Sequence, residues 1–319
     1  MSVVESSQEE IVFEWENIEL AGTLHVPSGQ PPFPAVLMLQ GSGEADRDSG
    51  DFFPQIRDAF LARGIAAYSF DKPGIGGSSG DWRGYALNGR AEQASAALEH
   101  MRAHEAIDAE RVGIWGHSQG GWLVQMLAAR LPDLPFAVAN SGAAITVEQQ
   151  DLAGCEHTMR AAGKSEEDIA RALAFLNALH AAALHGDDYT SVDRKLLVPA
   201  RGQPWYGYME FDDAVAWSMM CQFIGEQYEP AGALARVRCP FLAIYGALDP
   251  LVPAWESAQI TSQSLHEAGN ADATIVVFPS GNHRIIAADT GAFVTGYLDL
   301  LGDWTEQRVG QAGRMRRDT

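Results

Sequence analysis

Short, uninterrupted apolar runs recur along the chain, and amphipathic segments separate them. The run at residues 35–39 contains no polar side chain, which is typical of a strand buried on both faces of a sheet. Similar runs lie at residues 65–70, 112–115, 136–139, 241–245 and 274–278. Segments with a helical period lie between them, at residues 52–63, 91–101, 119–131 and 255–267. This alternation predicts a parallel sheet with helices on both faces.

The two ends of the chain each add one element to this pattern. Residues 13–26 alternate between apolar and polar positions, which predicts a hairpin-like pair of strands. Near the other end, Phe293, Tyr297, Leu301 and Trp304 recur at helical spacing and predict one face of a last helix.

The alternation breaks between about residues 147 and 237, where no segment has the pattern of a strand. Ser165 precedes three acidic residues and a helical repeat, which is typical of a helix N-terminus, and another helix fits residues 212–226. We therefore predict an α/β core made of residues 1–146 and 237–319, with a helical cap insertion at residues 147–236.

Charge and composition narrow the functional classes. The 319-residue chain carries 42 acidic and 22 basic residues, and a net charge of −20 argues against nucleic-acid partners. No stretch reaches the roughly 18 apolar residues of a membrane span, and residues 1–5 do not resemble a signal peptide. Cys155, Cys221 and Cys239 are odd in number and far apart, as expected for reduced thiols in a cytoplasmic protein. No cluster has metal-ligand spacing, so we expect neither a metal nor another cofactor.

The sequence G-H-S-Q-G at residues 116–120 is the first candidate for chemistry. The spacing G-x-S-x-G arises by chance in a glycine-rich chain, so its context decides its meaning. Here a predicted strand precedes it and a predicted helix follows at once, which is the setting of a nucleophile elbow. Glycines permit the sharp turn, and Ser118 is the predicted nucleophile.

A serine hydroxyl needs a base, and the base needs an acid that orients it. Asp249 follows the predicted strand at residues 241–245, and His283 follows the next one. Side chains at the carboxyl ends of parallel strands meet at one edge of the sheet, so both are predicted to be catalytic with Ser118. The alternatives are a turn aspartate before Pro250 and a histidine in a surface loop.

The loop after residues 35–39 is the candidate for binding a developing negative charge. It reads Q-G-S-G at residues 40–43, and glycine lets the backbone approach a substrate carbonyl closely. We predict an oxyanion hole made by the backbone N–H groups of Gln119 and Ser42, with Gly41 as the substitute for the second donor. A plain glycine turn is the alternative.

Two further segments resemble a known family. GSGEADRD at residues 41–48 resembles a GSGPxDRD stretch, and FDKPGIGGS at residues 70–78 resembles a YDKRGxGxS loop. With the order Ser, Asp, His, the chain resembles an α/β-hydrolase of the bacterial serine esterase/lipase group, over about residues 10–145 and 235–305. It departs from the pattern at Glu44 (usually Pro), Gln119 (often Glu) and Gln40 (often His). The resemblance implies an α/β-hydrolase fold and a small-molecule ester substrate.

Aromatic and methionine side chains are concentrated in the predicted cap. We predict substrate contacts from Trp205, Tyr206, Trp217 and Met220, which would form an apolar wall for an acyl or bulky alcohol group. The alternative is that these side chains only pack the cap onto the sheet.

The predicted reaction is the cleavage of a carboxylic ester through an acyl-enzyme intermediate. The same residues would also serve a peptidase or amidase of the prolyl-oligopeptidase-like kind, or a thioesterase, because a fold does not fix its chemistry. A non-catalytic ligand-binding protein of this fold would have a broken set of catalytic residues, and the sequence contains no such break.

Overall fold

A computed structural model describes residues 6–208 and 213–315. Residues 1–5, which we predicted not to form a signal peptide, lie outside the described residues. The predicted start of a helix at Asp212 also lies outside them.

One eight-stranded sheet forms the centre of the molecule. Its strands are β1 (Ser6–Trp15), β2 (Ile18–Pro27), β3 (Phe33–Leu39), β4 (Ala66–Phe70), β5 (Ile107–His117), β6 (Ala137–Asn140), β7 (Phe241–Gly246) and β8 (Ala273–Phe278). Their order is β1-β2-β4-β3-β5-β6-β7-β8. The pairings β1–β2 and β2–β4 are antiparallel, and all other neighbours are parallel. The predicted mostly parallel sheet and its antiparallel strand pair are confirmed.

The described helices follow the predicted alternation. They are α1 (Phe53–Leu61), α2 (Leu87–Arg102), α3 (Gln119–Arg130), α4 (Val147–Ala161), α5 (Glu166–His185), α6 (Tyr189–Val192), α7 (Val198–Ala200), α8 (Ala214–Gly225), α9 (Pro230–Leu234), α10 (Ala254–Glu267) and α11 (Tyr297–Met315). A π-helical turn, Asp193–Leu197, joins α6 to α7, and short 3₁₀ turns lie at Trp82–Gly84 and Tyr206–Tyr208.

Helices cover both faces of the sheet because successive strand side chains point to opposite faces. In β3, Leu37 and Leu39 belong to the cluster that α2, α3 and α10 cover, whereas Val36 and Met38 belong to the cluster that α1 and α11 cover. Trp115 of β5 is fully buried in the second cluster and contacts Phe53 of α1 edge-on. A sheet buried on both faces explains why its central strands have no polar alternation.

Between β6 and β7 the described chain consists of helices joined by turns and irregular segments, and it contains no strand. Ser165 caps α5, since its side chain accepts a hydrogen bond from the Asp168 N–H. Helices α4 to α8 share a hydrophobic cluster of their own, which includes Met159, Leu179 and Trp217. This segment therefore has a small core that is separate from the two clusters against the sheet.

One predicted helix is shorter than expected. Phe293 does not lie on the last helix, because α11 begins at Tyr297 and Gly296 just before it has a left-handed φ of 86°. Phe293 instead pairs with Ile286 in a short β-bridge, and its ring packs against Phe52 and Tyr297. Helical spacing alone did not reveal this break.

Candidate active site

Ser118 occupies a sharp turn between β5 and α3. Its φ of 57° and ψ of −119° are strained for a residue with a side chain, and such strain costs about 1–3 kcal/mol. Two backbone hydrogen bonds hold the turn: the Ser118 N–H donates to Asn140 O at 2.9 Å, and the Gly121 N–H donates to Ser118 O at 2.8 Å. A Cβ on Gly116 would lie 2.2 Å from Gly120 O, so the flanking glycines are required by space. The G-x-S-x-G segment is therefore an elbow that presents Ser118.

Asp249 and His283 are joined by a hydrogen bond. Asp249 follows β7, and its Oδ2 lies 2.7 Å from His283 Nδ1. Its other oxygen accepts the N–H groups of Leu251 at 2.8 Å and Val252 at 3.0 Å. The carboxylate is thus immobilised, with its side chain 1% exposed. Because the carboxylate accepts a hydrogen bond, Nδ1 carries the proton of the neutral imidazole, and Nε2 is left as the basic nitrogen.

Ser118 and His283 line the same cavity of about 460 Å³, together with Gly41 and Ser42. The described residues show no hydrogen bond between Ser118 Oγ and His283. Contacts of this kind often form fully only when a substrate is bound. The structure thus brings the three residues predicted as catalytic to one edge of the sheet, with one of the two expected hydrogen bonds in place.

His117 is a site residue that sequence analysis did not single out. Its Nε2–H donates to the backbone oxygen of His283 at 3.0 Å, and the two ring centroids are 4.8 Å apart. Burial, reinforced by the charges of His283 and Arg284, lowers the pKa of His117 to about 3. A neutral His117 therefore ties the histidine loop to the elbow. In the sequence, only its position next to Ser118 marked His117 as a candidate site residue.

The loop at residues 41–43 approaches the elbow closely, since a Cβ on Gly41 would lie 3.2 Å from Ser118 Cβ. Lys72 Nζ donates hydrogen bonds to Gly41 O and, at 2.6 Å, to Gly43 O. In a trans peptide the C=O and N–H point in opposite directions, so the Ser42 N–H points away from Lys72. Burial, with the charge of Arg90, lowers the pKa of Lys72 to about 6, and the amine retains two donors in either protonation state.

A polar network joins the two segments that carry the family resemblance. Asp71 accepts the Arg47 guanidinium at 2.6 Å, the Arg47 N–H at 2.8 Å and the Gly77 N–H at 2.9 Å. Burial raises the pKa of Asp71, but these hydrogen bonds outweigh burial and lower the pKa below its usual value. Gln40 Nε2 also donates to Phe70 O. The two loops are thus held as one unit beside Ser118.

A second cavity of about 340 Å³ is lined by Ser42, which also lines the first cavity, and by Gln119. It is mainly apolar, and its remaining lining residues are Trp122, Val147, Gln150, Asp151, Ala216, Met219, Met220, Phe223 and Ile224. The cavity lies between the elbow helix α3 and the helices α4 and α8.

Of the four predicted substrate-contact residues, only Met220 lines this second cavity. Trp205 and Trp217 are buried in the helical cluster instead, and Trp205 packs on Phe175 and Tyr206. Trp217 Nε1 donates to Asp187 O at 2.9 Å, which fixes its ring between helices. The aromatic composition of the segment therefore reflects packing at these positions.

Within residues 6–208 and 213–315, no group of His, Cys, Asp and Glu side chains is arranged to hold a metal ion. A search of the same residues for a membrane-spanning helix, judged by length and hydropathy, found none.

Comparison with known proteins identifies the family. A model of the alpha/beta hydrolase family matches residues 36–295, and the chain belongs to this family. It is 23% identical over 241 residues to an uncharacterized 31.7 kDa protein of Escherichia coli, covering 73% of this chain and 79% of that protein. It is 34% identical over 124 residues to the esterase FrsA of Klebsiella pneumoniae, covering 39% of this chain and 28% of FrsA.

Solved structures agree on the fold. The esterase Pf2001 of Pyrococcus furiosus superposes with a TM-score of 0.63 at 15% identity, over 96% of this chain and 92% of that one. The predicted α/β-hydrolase fold is confirmed, whereas membership of the GSGPxDRD subgroup stays a prediction.

Replacement of His117 by Gln is expected to reduce the loss of stability in acid. A histidine with a pKa near 3 when folded and near 6.5 when unfolded costs stability as pH falls below 6.5, because only the unfolded chain takes up the proton. Between pH 7.5 and 5, the wild type should lose about 2 kcal/mol more than His117→Gln. Urea denaturation at both pH values measures this difference.

The matched control is His157→Gln, which changes an exposed histidine. Equal losses of stability between pH 7.5 and 5 in the wild type and in His117→Gln would show that His117 is not buried in its neutral form.

Proposed function

We propose that this protein hydrolyses carboxylic esters, with Ser118 as nucleophile, His283 as general base and Asp249 as the acid that orients it. The observation that carries the proposal is the Asp249–His283 hydrogen bond beside the strained elbow, with Ser118 and His283 lining one cavity. The similarity to proteins named as esterases supports an ester substrate.

Proton transfer follows from the tautomer of His283. Because Nδ1–H donates to Asp249, Nε2 accepts the Ser118 proton as Oγ attacks the ester carbonyl. Asp249 stabilises the imidazolium that forms. The tetrahedral intermediate collapses when His283 returns this proton to the leaving alcohol. Water then attacks the acyl-enzyme by the same route and releases the carboxylic acid and free Ser118.

The oxyanion is held by the backbone N–H groups of Gln119 and Ser42 in this proposal. Gln119 is the first residue of α3, where free N–H groups and the positive end of the helix dipole favour negative charge. Lys72 binds the carbonyl of the Gly41–Ser42 peptide, which directs the Ser42 N–H to the other side. Gly41 remains the substitute for the second donor.

The two cavities define an orientation for the substrate. His283 must protonate the leaving alcohol, and it lines the first cavity, which also contains Glu44, Asp46 and Arg284. The alcohol therefore occupies this polar cavity. The acyl group occupies the apolar cavity on the side of Gln119, and residues 147–236 act as the cap that closes it.

Ser118→Ala should fold normally and lose hydrolysis of p-nitrophenyl esters by about 10⁴- to 10⁶-fold, as loss of a catalytic serine does. Circular dichroism and steady-state kinetics measure both properties, and exposed Ser218→Ala is the control. Matched p-nitroanilides, assayed beside the esters, separate an esterase from an amidase. Turnover near the wild-type rate by pure Ser118→Ala would contradict the assignment.

Lys72→Met should lower kcat by about 10- to 100-fold with little change in KM, because misdirected oxyanion donors weaken transition-state binding more than substrate binding. Exposed Lys195→Met is the control, and thermal unfolding shows whether Lys72→Met is folded. An unchanged kcat in the folded variant would show that Lys72 does not position the donors.

Met220→Ala should change the preference for acyl length, since one methylene of fit in an apolar wall is worth about 1–3 kcal/mol. The ratio of kcat/KM between long and short acyl esters should shift by about tenfold or more. Met159→Ala is the control, because Met159 is buried in the same helical cluster but does not line the cavity. A uniform loss across all acyl lengths in Met220→Ala would argue against acyl binding at this position.

A further inference from the structure

The apolar cavity contains one charged side chain among the described residues that line it. Asp151 projects from α4 beside Gln150, and the rest of the lining is aromatic, aliphatic or methionine apart from Ser42 and Gln119. The Asp151 side chain is 36% exposed, so part of its carboxylate is accessible to a ligand. A carboxylate in an apolar acyl site weakens the binding of a plain hydrocarbon chain, because the chain would remove water from the carboxylate without replacing its hydrogen bonds.

The Asp151 carboxylate has one side-chain partner among the described residues. Its Oδ2 lies 3.2 Å from His180 Nε2, and His180 is buried with no hydrogen-bond partner at Nδ1. The described ion pairs give Asp151 no lysine or arginine partner.

Gln119, which lines the same cavity, has an oxygen acceptor without a partner among the described residues. The Gln119 side chain is buried, and its Oε1 accepts no hydrogen bond from the described residues. A buried polar atom without a partner is rare in a folded protein. Across its described lining, the cavity contains one carboxylate, that of Asp151, and no positively charged side chain.

The apolar part of the lining suits a cation as well. The ring of Trp122 lines the cavity with its Nε1–H already bound to Ala143 O at 2.7 Å, which leaves the ring surface for packing. Indole rings attract cationic groups, and flexible methionine side chains such as Met219 and Met220 pack on apolar chains. The net charge of −20 on the chain further favours a positively charged substrate.

We propose that the substrate acyl group is an apolar chain bearing a protonated amine, which pairs with Asp151 inside this cavity. The inference rests on the proposed ester hydrolysis and on the placement of the acyl group in the apolar cavity. It names amino-acyl esters as the substrate class.

The test compares two esters of equal length, p-nitrophenyl 6-aminohexanoate and p-nitrophenyl heptanoate. The ratio of their kcat/KM values should fall about five- to tenfold in Asp151→Asn, as expected for loss of a partly exposed charge pair. Glu148→Gln makes the same charge change on the same helix, outside the cavity, and should leave the ratio at its wild-type value. An unchanged ratio in folded Asp151→Asn would overturn the proposal.

Calorimetric binding of hexylammonium and hexanol to the wild type provides a second measurement that needs neither turnover nor a folded variant. Hexylammonium should bind more tightly than hexanol, and weaker binding of the amine would overturn the role of Asp151. If the folded wild type hydrolyses neither ester, the proposed function fails, and the binding comparison still decides the amine site.

Discussion

Close packing of the turn between β5 and α3 is the constraint on which the site depends. A Cβ on Gly120 would lie 2.3 Å from Leu39 O at the end of β3, and one on Gly121 would lie 2.6 Å from Gly142 Cα, just after β6. Backbone atoms thus fill the space that side chains would need. This packing sets the N-terminus of α3 against the ends of two strands, and it holds Ser118 in its strained conformation.

The loops around this turn are rigid because their polar groups are paired with one another. Lys72 is buried, and the free-energy cost of removing its amine from water is offset by hydrogen bonds to two carbonyl groups on the loop beside Ser118. Asp71 and Arg47 form a charge-assisted pair that also binds backbone N–H groups. On the opposite side, His117 binds the loop of His283. Each loop at the site is therefore positioned by a buried side chain from another part of the chain.

Much of this arrangement could be predicted from local sequence. Strands buried on both faces appear in the sequence as continuous apolar runs. Side chains just after such parallel strands lie at one edge of the sheet, so Asp249 and His283 could be predicted to lie close together. The roles of Lys72 and His117 depend on partners far away along the chain, so no spacing indicated them. Composition alone could not predict the position of Trp217. An aromatic residue in the sequence is equally consistent with a pocket wall and with a packed core, and Trp217 lies in the core.

The candidate site depends on a local turn and on packing between segments that are far apart in the chain. The glycines of the elbow can be recognised in sequence because the turn itself requires them. The division into a polar and an apolar cavity depends on how α4 and α8 sit over α3, and hydrophobic periodicity contains no information on that packing. The proposed orientation of the substrate and the proposed role of Asp151 therefore depend on the three-dimensional structure and not on sequence patterns.

The central claim is that the Asp249–His283 pair activates Ser118. Its most direct test is to react the folded protein with a fluorophosphonate probe and to map the adduct by peptide mass spectrometry, in the wild type and in His283→Ala. The account predicts one adduct, on Ser118, formed at a rate that falls by orders of magnitude in His283→Ala. An adduct on a different residue, or an equal rate of labelling without His283, would contradict it.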